Sequence, residues 1–74
     1  MDEKLFIIKL GQRIRKIRKS QKMTQADLAS AAHIAPSNIS EIENGKVSIQ
    51  ATTLMKIIIA LKVSPNEMLN FEKI

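Results

Sequence analysis

The amino-acid sequence predicts a single all-α domain built from five helices. Its 74 residues are 45% apolar and 26% charged, which is the composition of one soluble globular domain. Apolar side chains recur at the three- and four-residue spacing of helices, and good capping residues mark where helices begin. The two glycines and two prolines are scattered along the chain. Because they form no linker, residues 1–74 are predicted to fold as one domain.

A basic amphipathic segment and a capping box predict the first two helices. From about residue 4 to residue 20, apolar residues recur at helical spacing with basic residues between them, and Gly11 is expected to weaken this helix locally. Thr24 is a good N-terminal cap, and Asp27 lies three residues later, where it acts as a short-armed capping-box acid. A second helix is therefore predicted over about residues 25–32.

Proline and glycine punctuation predicts where the later helices begin and end. Pro36 suits the first turn of a third helix over about residues 35–44, and Gly45 is the natural left-handed residue after its end. The apolar stripe over residues 54–61 predicts a fourth helix. Residues 64–67, Ser-Pro-Asn-Glu, form a capping box with proline at the first helical position, which predicts a short fifth helix.

The positive charge of the chain is concentrated near one end. The chain has 12 Lys and Arg against 7 Asp and Glu, a net charge of +5. Residues 4–26 contain eight basic residues and no acidic one, so this segment carries +8 and the remainder carries −3. A block of one sign in a folded domain predicts a surface that binds phosphates or another anionic surface. A solvated helix face is the alternative interpretation.

The composition argues against several classes of function. With no cysteine and a single histidine, His33, the chain lacks the usual donors of a zinc site, and no metal is predicted. With no tyrosine and no paired carboxylates in a plausible cleft, we predict that the chain is not an enzyme and needs no cofactor. The sequence shows neither a signal-peptide pattern nor a membrane-spanning stretch, which predicts a cytoplasmic protein.

Several linked runs of residues carry a family resemblance. Residues 10–19, 23–29 and 39–46, followed by 53–57 and 60–64, resemble the Cro/cI-type (XRE) helix-turn-helix family of lambda-repressor-like DNA-binding domains. The resemblance covers roughly residues 9–70, with the helix-turn-helix motif at about residues 25–44. It implies a third helix that enters the major groove of double-stranded DNA. His33 stands at the turn position usually given to glycine, so it is expected to be left-handed.

The resemblance also assigns roles to individual residues. The residues that match DNA phosphate contacts are Arg18, Gln25, Asn44 and Lys46. Arg18 also corresponds to one partner of a family ion pair with Glu43, which ties the first helix to the third. Without the resemblance, Gln25 is a surface residue, Asn44 and Lys46 are C-capping residues, and the ion pair is a surface pair worth under about 1 kcal/mol.

Base readout is expected from the outward face of the third helix. The candidate residues there are Ala35, Ser37, Asn38, Ser40 and Glu41. Asn38 has the groups to bind adenine in bidentate fashion, and Glu41 can accept a hydrogen bond from cytosine N4. Because this face has no arginine or glutamine, specificity is expected to depend on DNA shape, water and paired half-sites.

One domain of this type covers one half-site, so the resemblance implies a homodimer on an inverted-repeat operator. The apolar candidates for the dimer interface are Ile49, Ile59, Met68, Phe71 and Ile74, although core packing explains Met68 equally well. A transcriptional regulator without a small-molecule ligand is the leading hypothesis. It leaves open a phage-type repressor, a restriction-modification controller and an autoregulating antitoxin. The alternative from another class is an adaptor that uses the same fold for protein contacts.

Overall fold

The computed structural model describes residues 1–73 and shows, over that range, helices and no strand. The helices are α1 (Glu3–Ser20), α2 (Gln25–Ala32), α3 (Pro36–Glu43), α4 (Ala51–Leu61) and α5 (Pro65–Met68), and a 3₁₀ turn follows at Phe71–Lys73. The predicted all-α class is confirmed. The helix-turn-helix pair, α2 and α3, packs against both long helices, because α1 contacts α3 and α2 contacts α4.

Side-chain caps determine where α1 and α2 begin. The Asp2 carboxylate accepts a hydrogen bond from the Leu5 N–H at 2.8 Å, which starts α1 one residue earlier than predicted. At α2 both bonds of the predicted capping box are present: Thr24 Oγ1 accepts from the Asp27 N–H at 3.0 Å, and Asp27 Oδ2 accepts from the Thr24 N–H at 2.8 Å. The backbone N–H of Thr24 thereby lowers the pKa of the Asp27 carboxyl.

The cap of α5 differs from the sequence prediction. The Ser64 hydroxyl accepts from the Glu67 N–H at 3.1 Å, as a capping serine should. The Glu67 carboxylate does not complete the capping box, because its Oε1 instead accepts from Arg13 Nη2 at 3.1 Å. Arg13 Nε also donates to the Glu67 carbonyl at 3.0 Å. The predicted capping box is thus only half formed, and its acid anchors α5 to α1.

The turn between α2 and α3 has the predicted left-handed residue. His33 ends α2 with φ 57° and ψ 46°, and the next N–H, that of Ile34, donates to the Ala29 carbonyl at 2.9 Å. Histidine tolerates this conformation better than a β-branched residue would. Two left-handed lysines were not predicted: Lys22 with φ 59° after α1, and Lys62 with φ 57° after α4.

The core lies where the apolar faces of the helices converge. It contains Leu10, Ile14, Ile17, Leu28, Ala29, Ala32, Ile39, Ile42, Ile57, Leu61 and Met68. Burying one such large side chain contributes about 1.5–3 kcal/mol, so the fold depends on this cluster rather than on helix propensity. The small side chains of Ala29 and Ala32 lie where α2 packs closely on its neighbours.

Gly11 allows α1 and α3 to approach each other backbone to backbone. A Cβ atom at this position would lie 2.3 Å from the Ile42 carbonyl oxygen and 2.9 Å from that of Glu43. The sequence suggested only that Gly11 weakens α1 locally, and the structure shows a second role for this glycine. Its missing side chain sets the position of the C-terminal end of α3 against α1.

Candidate nucleic-acid interface

A buried ion pair joins α1 to the C-terminal end of α3. Arg18 Nε donates to Glu43 Oε2 at 2.7 Å and Arg18 Nη2 donates to Glu43 Oε1 at 2.9 Å, while the two side chains are only 7% and 1% exposed. Arg18 Nη1 donates to the Met23 carbonyl at 2.7 Å, which ties in the turn before α2. The hydrogen bond to Glu43 holds the pKa of Arg18 above its ordinary value, so the pair stays charged.

The same carboxylate also holds the first residue of α2. Gln25 Nε2 donates to Glu43 Oε1 at 3.1 Å. Glu43 therefore connects three elements, α1, the start of α2 and the end of α3, through Arg18 and Gln25. We refer to Arg18, Met23, Gln25 and Glu43 as the Glu43 network. Because both carboxylate oxygens are engaged, the network fixes how α3 is oriented relative to α2.

The structure corrects one of the two roles expected of Arg18. The predicted ion pair with Glu43 is present, but the guanidinium is enclosed by Glu43 and Met23 and Arg18 is only 6% exposed. It offers almost no surface to a DNA phosphate. Arg18 therefore acts on any DNA contact indirectly, by positioning the helix-turn-helix.

The other predicted phosphate residues lie at the two ends of the helix-turn-helix. Gln25 is half-buried at the first position of α2, where backbone N–H groups and the helix dipole favour an anion. Asn44 caps the C-terminal end of α3 and is exposed, as is Lys46 two residues later. Because Gln25 contacts Glu43, the last residue of α3, it too lies near the C-terminal end of that helix.

The five predicted base-reading residues fall into two groups that differ in their exposure to solvent. Ala35, Ser37 and Glu41 are exposed, whereas Asn38 and Ser40 are half-buried. Ser37 and Glu41 lie one turn apart and opposite the buried residues Ile39 and Ile42. Asn38 borders a hollow between α3 and the loop that leads to α4. Ser37 and Glu41 are therefore the most accessible side chains for base contacts.

The basic block, residues 4–26, has fewer accessible basic side chains than its sequence suggests. Arg13 is 4% exposed and is held by Glu67, and Arg18 belongs to the Glu43 network. Sequence reasoning missed Arg13, although its spacing from Leu10 and Ile17 places it on the buried face of α1. Six basic residues of the block remain exposed or half-buried: Lys4, Lys9, Arg15, Lys16, Lys19 and Lys22.

The dimer-interface candidates have different surroundings. Ile59 is 67% exposed on the outer face of α4, whereas Phe71 is half-buried against Phe6, with ring centroids 5.5 Å apart. Ile49 is also half-buried. Met68 is fully buried in the core, so its proposed place in an interface is wrong. Ile74 lies outside the described residues.

Sequence reasoning also missed an exposed apolar neighbour of Ile59. Met55 lies one helical turn before it and is 51% exposed. Both side chains point away from Ile57 and Leu61, which are buried. The signal was available in the sequence, because Met55 and Ile59 share a helix face at the i, i+4 spacing.

Neither a membrane-spanning helix nor a metal-binding cluster occurs in the part of the chain that the structure describes. Within residues 1–73 no helix has the length and apolar character needed to cross a membrane. In the same residues, no group of histidine, aspartate and glutamate side chains is arranged to hold a metal ion.

Two short helices, α2 and α3, joined by a left-handed turn at His33 define a helix-turn-helix domain. A family model described as helix-turn-helix matches residues 14–68, from the middle of α1 to the end of α5. The chain belongs to this helix-turn-helix family, of the XRE type. The match includes the whole Glu43 network and the outer face of α3.

Comparison with characterised proteins gives both a sequence relative and structural neighbours. A protein named antitoxin HigA2 from Mycobacterium tuberculosis is 46% identical over 50 residues, which is 66% of this chain and 50% of the relative. The chain thus spans about half the length of that relative.

Three solved structures have the same fold. The restriction-modification controller protein C.AhdI from Aeromonas hydrophila superposes with a TM-score of 0.81 at 27% identity, covering 84% of this chain and 94% of that one. The wild-type controller protein C.Esp1396I gives 0.85 at 30% identity, with 92% and 90% covered. The clp gene regulator ClgR from C. glutamicum gives 0.85 at 26% identity, with 92% and 88% covered.

Proposed function

We propose that the chain is a sequence-specific regulator that binds double-stranded DNA as a homodimer on an inverted-repeat operator, in the cytoplasm. The Glu43 network is the observation that carries this proposal. It locks α3 against α1 and α2 while leaving Ser37 and Glu41 exposed on the outer face. A rigid, solvent-facing helix of this kind suits insertion into the major groove.

The distribution of charge supports a division between affinity and specificity. The accessible basic residues lie on α1 and the turn before α2, where they favour the DNA backbone without regard to sequence. On α3, Glu43 is neutralised by Arg18, so Glu41 is the acidic group that the outer face presents. A carboxylate there repels phosphates and accepts from cytosine N4, which favours base contacts over backbone contacts.

A dimer of this chain is best supported through the outer face of α4. Met55 and Ile59 form an exposed apolar pair there, and a second copy would cover the same pair by two-fold symmetry. An inverted repeat requires the two α3 helices to lie about 34 Å apart, one turn of DNA, so pairing through α4 has to meet that spacing. Ile59 is one of the candidates that the sequence predicted, Met55 is an addition to them, and Met68 is left out because it is buried in the core.

The first prediction concerns the backbone contacts. Affinity for duplex DNA is expected to fall steeply as salt is raised, by several tenfold steps between about 50 and 200 mM if six or more phosphates are contacted. Gln25→Ala is expected to weaken binding to all sequences by roughly 10- to 150-fold, because a hydrogen bond to a charged acceptor is worth about 1.5–3 kcal/mol. Fluorescence anisotropy across a salt series measures both effects.

Gln12→Ala is the matched control, since Gln12 is an exposed glutamine on α1. It should leave affinity unchanged. Circular dichroism should show that Gln25→Ala still folds, because Arg18 continues to engage Glu43. Salt-independent binding, or equal effects of the two glutamine variants, would show that Gln25 does not bind a DNA phosphate.

The second prediction concerns base readout. Glu41→Ala is expected to relax the preference at one base pair, since a good base contact discriminates by about 1–3 kcal/mol. Asn38→Ala should have a smaller effect, because Asn38 is half-buried beside the loop before α4. Lys46→Ala should instead weaken binding to every sequence alike. Competition among single-base variants of the operator measures the preference, and a uniform loss for Glu41→Ala would reassign it to a general electrostatic role.

An antitoxin is the second candidate function, favoured by the 46% identity to the protein named antitoxin HigA2. It requires a protein partner in addition to DNA. A shallow hollow is a suitable place for such a partner; it is lined by the apolar residues Met1, Phe6, Ile7 and Ile49 and also by Asp2, Glu3 and Ser48. The adaptor alternative would instead use the fold for protein contacts alone, without duplex binding.

A further inference from the structure

We propose that Lys4 and Lys46 together hold a second DNA phosphate, beyond the C-terminal end of α3. This proposal rests on the proposed DNA-binding function. The two lysines are 42 positions apart in the sequence, yet they border one surface hollow of about 360 Å³ with Gly45 and Ser48. An open hollow bordered by two lysines suits a phosphodiester of the DNA backbone.

The packing of Gly45 on α1 brings the two lysines to the same hollow. Gly45 has φ 69°, and a Cβ atom there would lie 3.0 Å from Cγ1 of Ile8. The chain therefore leaves α3 directly over the first turns of α1. The Lys46 N–H donates to the Glu41 carbonyl at 3.0 Å, so the point from which the Lys46 side chain departs is fixed.

The charges around the hollow favour an anion. Lys4 and Lys46 are both exposed, and the salt bridges found in the described part of the chain involve Arg13 and Arg18 instead. Glu3 also borders the hollow, so the local balance is two positive charges against one negative. Glu3 is therefore expected to reduce the affinity of the site for phosphate, so removing its charge should raise that affinity.

The hollow continues the surface that includes the outer face of α3. Val47 and Ser48 line both this hollow and the neighbouring one that Asn38 borders. A helix inserted in the major groove meets the sugar-phosphate backbone at the edges of that groove. We therefore expect the ligand of this hollow to be a backbone phosphate at the edge of the groove. The sequence assigned Lys46 to a phosphate and Lys4 only to the basic segment as a whole, without a partner residue.

The test is a double-mutant cycle with Lys4→Gln, Lys46→Gln and the combined variant, measured on an operator duplex. Each single variant should weaken binding by roughly five- to tenfold at 0.1 M salt, and the salt slope should fall by about 0.9 for the lost phosphate. The combined loss should differ from the product of the single losses, because both ammonium groups hold the same phosphate. Glu3→Gln should tighten binding.

Lys16→Gln is the matched control. Lys16 is an exposed lysine of the same helix, but it borders a different hollow, between α1 and the segment of Val63 and Glu67. Because Lys16 also belongs to the basic block, its loss should lower affinity slightly through long-range charge, but much less than Lys4→Gln does and with a smaller change in salt slope. If Lys4→Gln and Lys16→Gln behave alike while the wild type binds, the paired lysine site is wrong and the proposed function stands. If the wild type does not bind duplex DNA, the proposed function itself fails.

Discussion

Replacing Arg18 with alanine is expected to lower the free energy of unfolding by about 3–5 kcal/mol. The substitution leaves the Glu43 carboxylate 1% exposed with its main partner removed. It also removes the donor to the Met23 carbonyl, so the turn before α2 loses an anchor. Since small domains are stable by only about 5–15 kcal/mol, a large part of the population is expected to unfold at moderate temperature. Urea unfolding followed by circular dichroism measures the loss.

Arg15→Ala is the control for this prediction. Arg15 is an exposed arginine of the same helix, so its removal should change stability by no more than about 0.5 kcal/mol. Arg18→Lys should recover little of the loss, because an ammonium group cannot reproduce the two-point contact with Glu43. Equal midpoints for the Arg15 and Arg18 variants would show that the buried pair does not support the fold.

Substituting Gly11 with alanine is expected to destabilise the protein by about 1–3 kcal/mol, the usual cost of overpacking. In an ordinary helix interior the same change stabilises by up to about 1 kcal/mol, so the expected sign is reversed. The reason is the backbone contact with α3: the new methyl group would meet the Ile42 carbonyl oxygen at 2.3 Å, and backbone cannot rotate away as a side chain can. α3 must therefore shift relative to α1.

The thermal midpoint of Gly11→Ala, compared with that of Gln12→Ala, tests this argument. Gln12 is exposed on α1, so its change to alanine reports helix propensity alone and should be neutral or slightly stabilising. Gly11→Ala should also weaken binding to operator DNA, because displacement of α3 disturbs the Glu43 network. A stabilised Gly11→Ala variant would mean that the close approach of the two helices has no energetic importance.

Local signals in the sequence account for most of the fold. Several helix ends are determined by hydrogen bonds or φ angles within a few residues, namely those at Thr24 with Asp27, at Pro36 and at Gly45. Their effect can therefore be predicted without knowledge of the tertiary structure. The left-handed turn at His33 followed from the family resemblance. The glutamate of the predicted α5 capping box was misjudged because a distant partner competes for its carboxylate.

The features that escaped prediction depend on contacts between distant residues. Arg13 bonds to Glu67 across 54 positions, and Gly11 meets the carbonyl of Ile42. No local pattern reports such distances. The same holds for Lys4 and Lys46, which border one hollow although they are 42 positions apart. Composition and spacing located the positive charge, but packing alone decides which basic side chains remain accessible.

The candidate interface was predicted chiefly through the resemblance. From its sequence alone, Gln25 is an unremarkable surface residue, and Glu43 is half of a weak surface pair. The structure changes the second interpretation, because Glu43 is buried and joins Arg18 and Gln25. The sequence named Asn38 and Glu41 alike as base-reading candidates, and the structure distinguishes them, since Glu41 is exposed whereas Asn38 is half-buried beside the loop before α4.

Selection of bound duplexes from a random pool tests the central claim, that α3 of a two-fold dimer reads duplex DNA. We expect enrichment of an inverted repeat whose half-site centres lie about 10–10.5 base pairs apart, or a multiple of that spacing. Such a result would establish duplex specificity, pairing and spacing in one measurement. A pool that remains unenriched after repeated rounds, from a folded protein, would contradict the account.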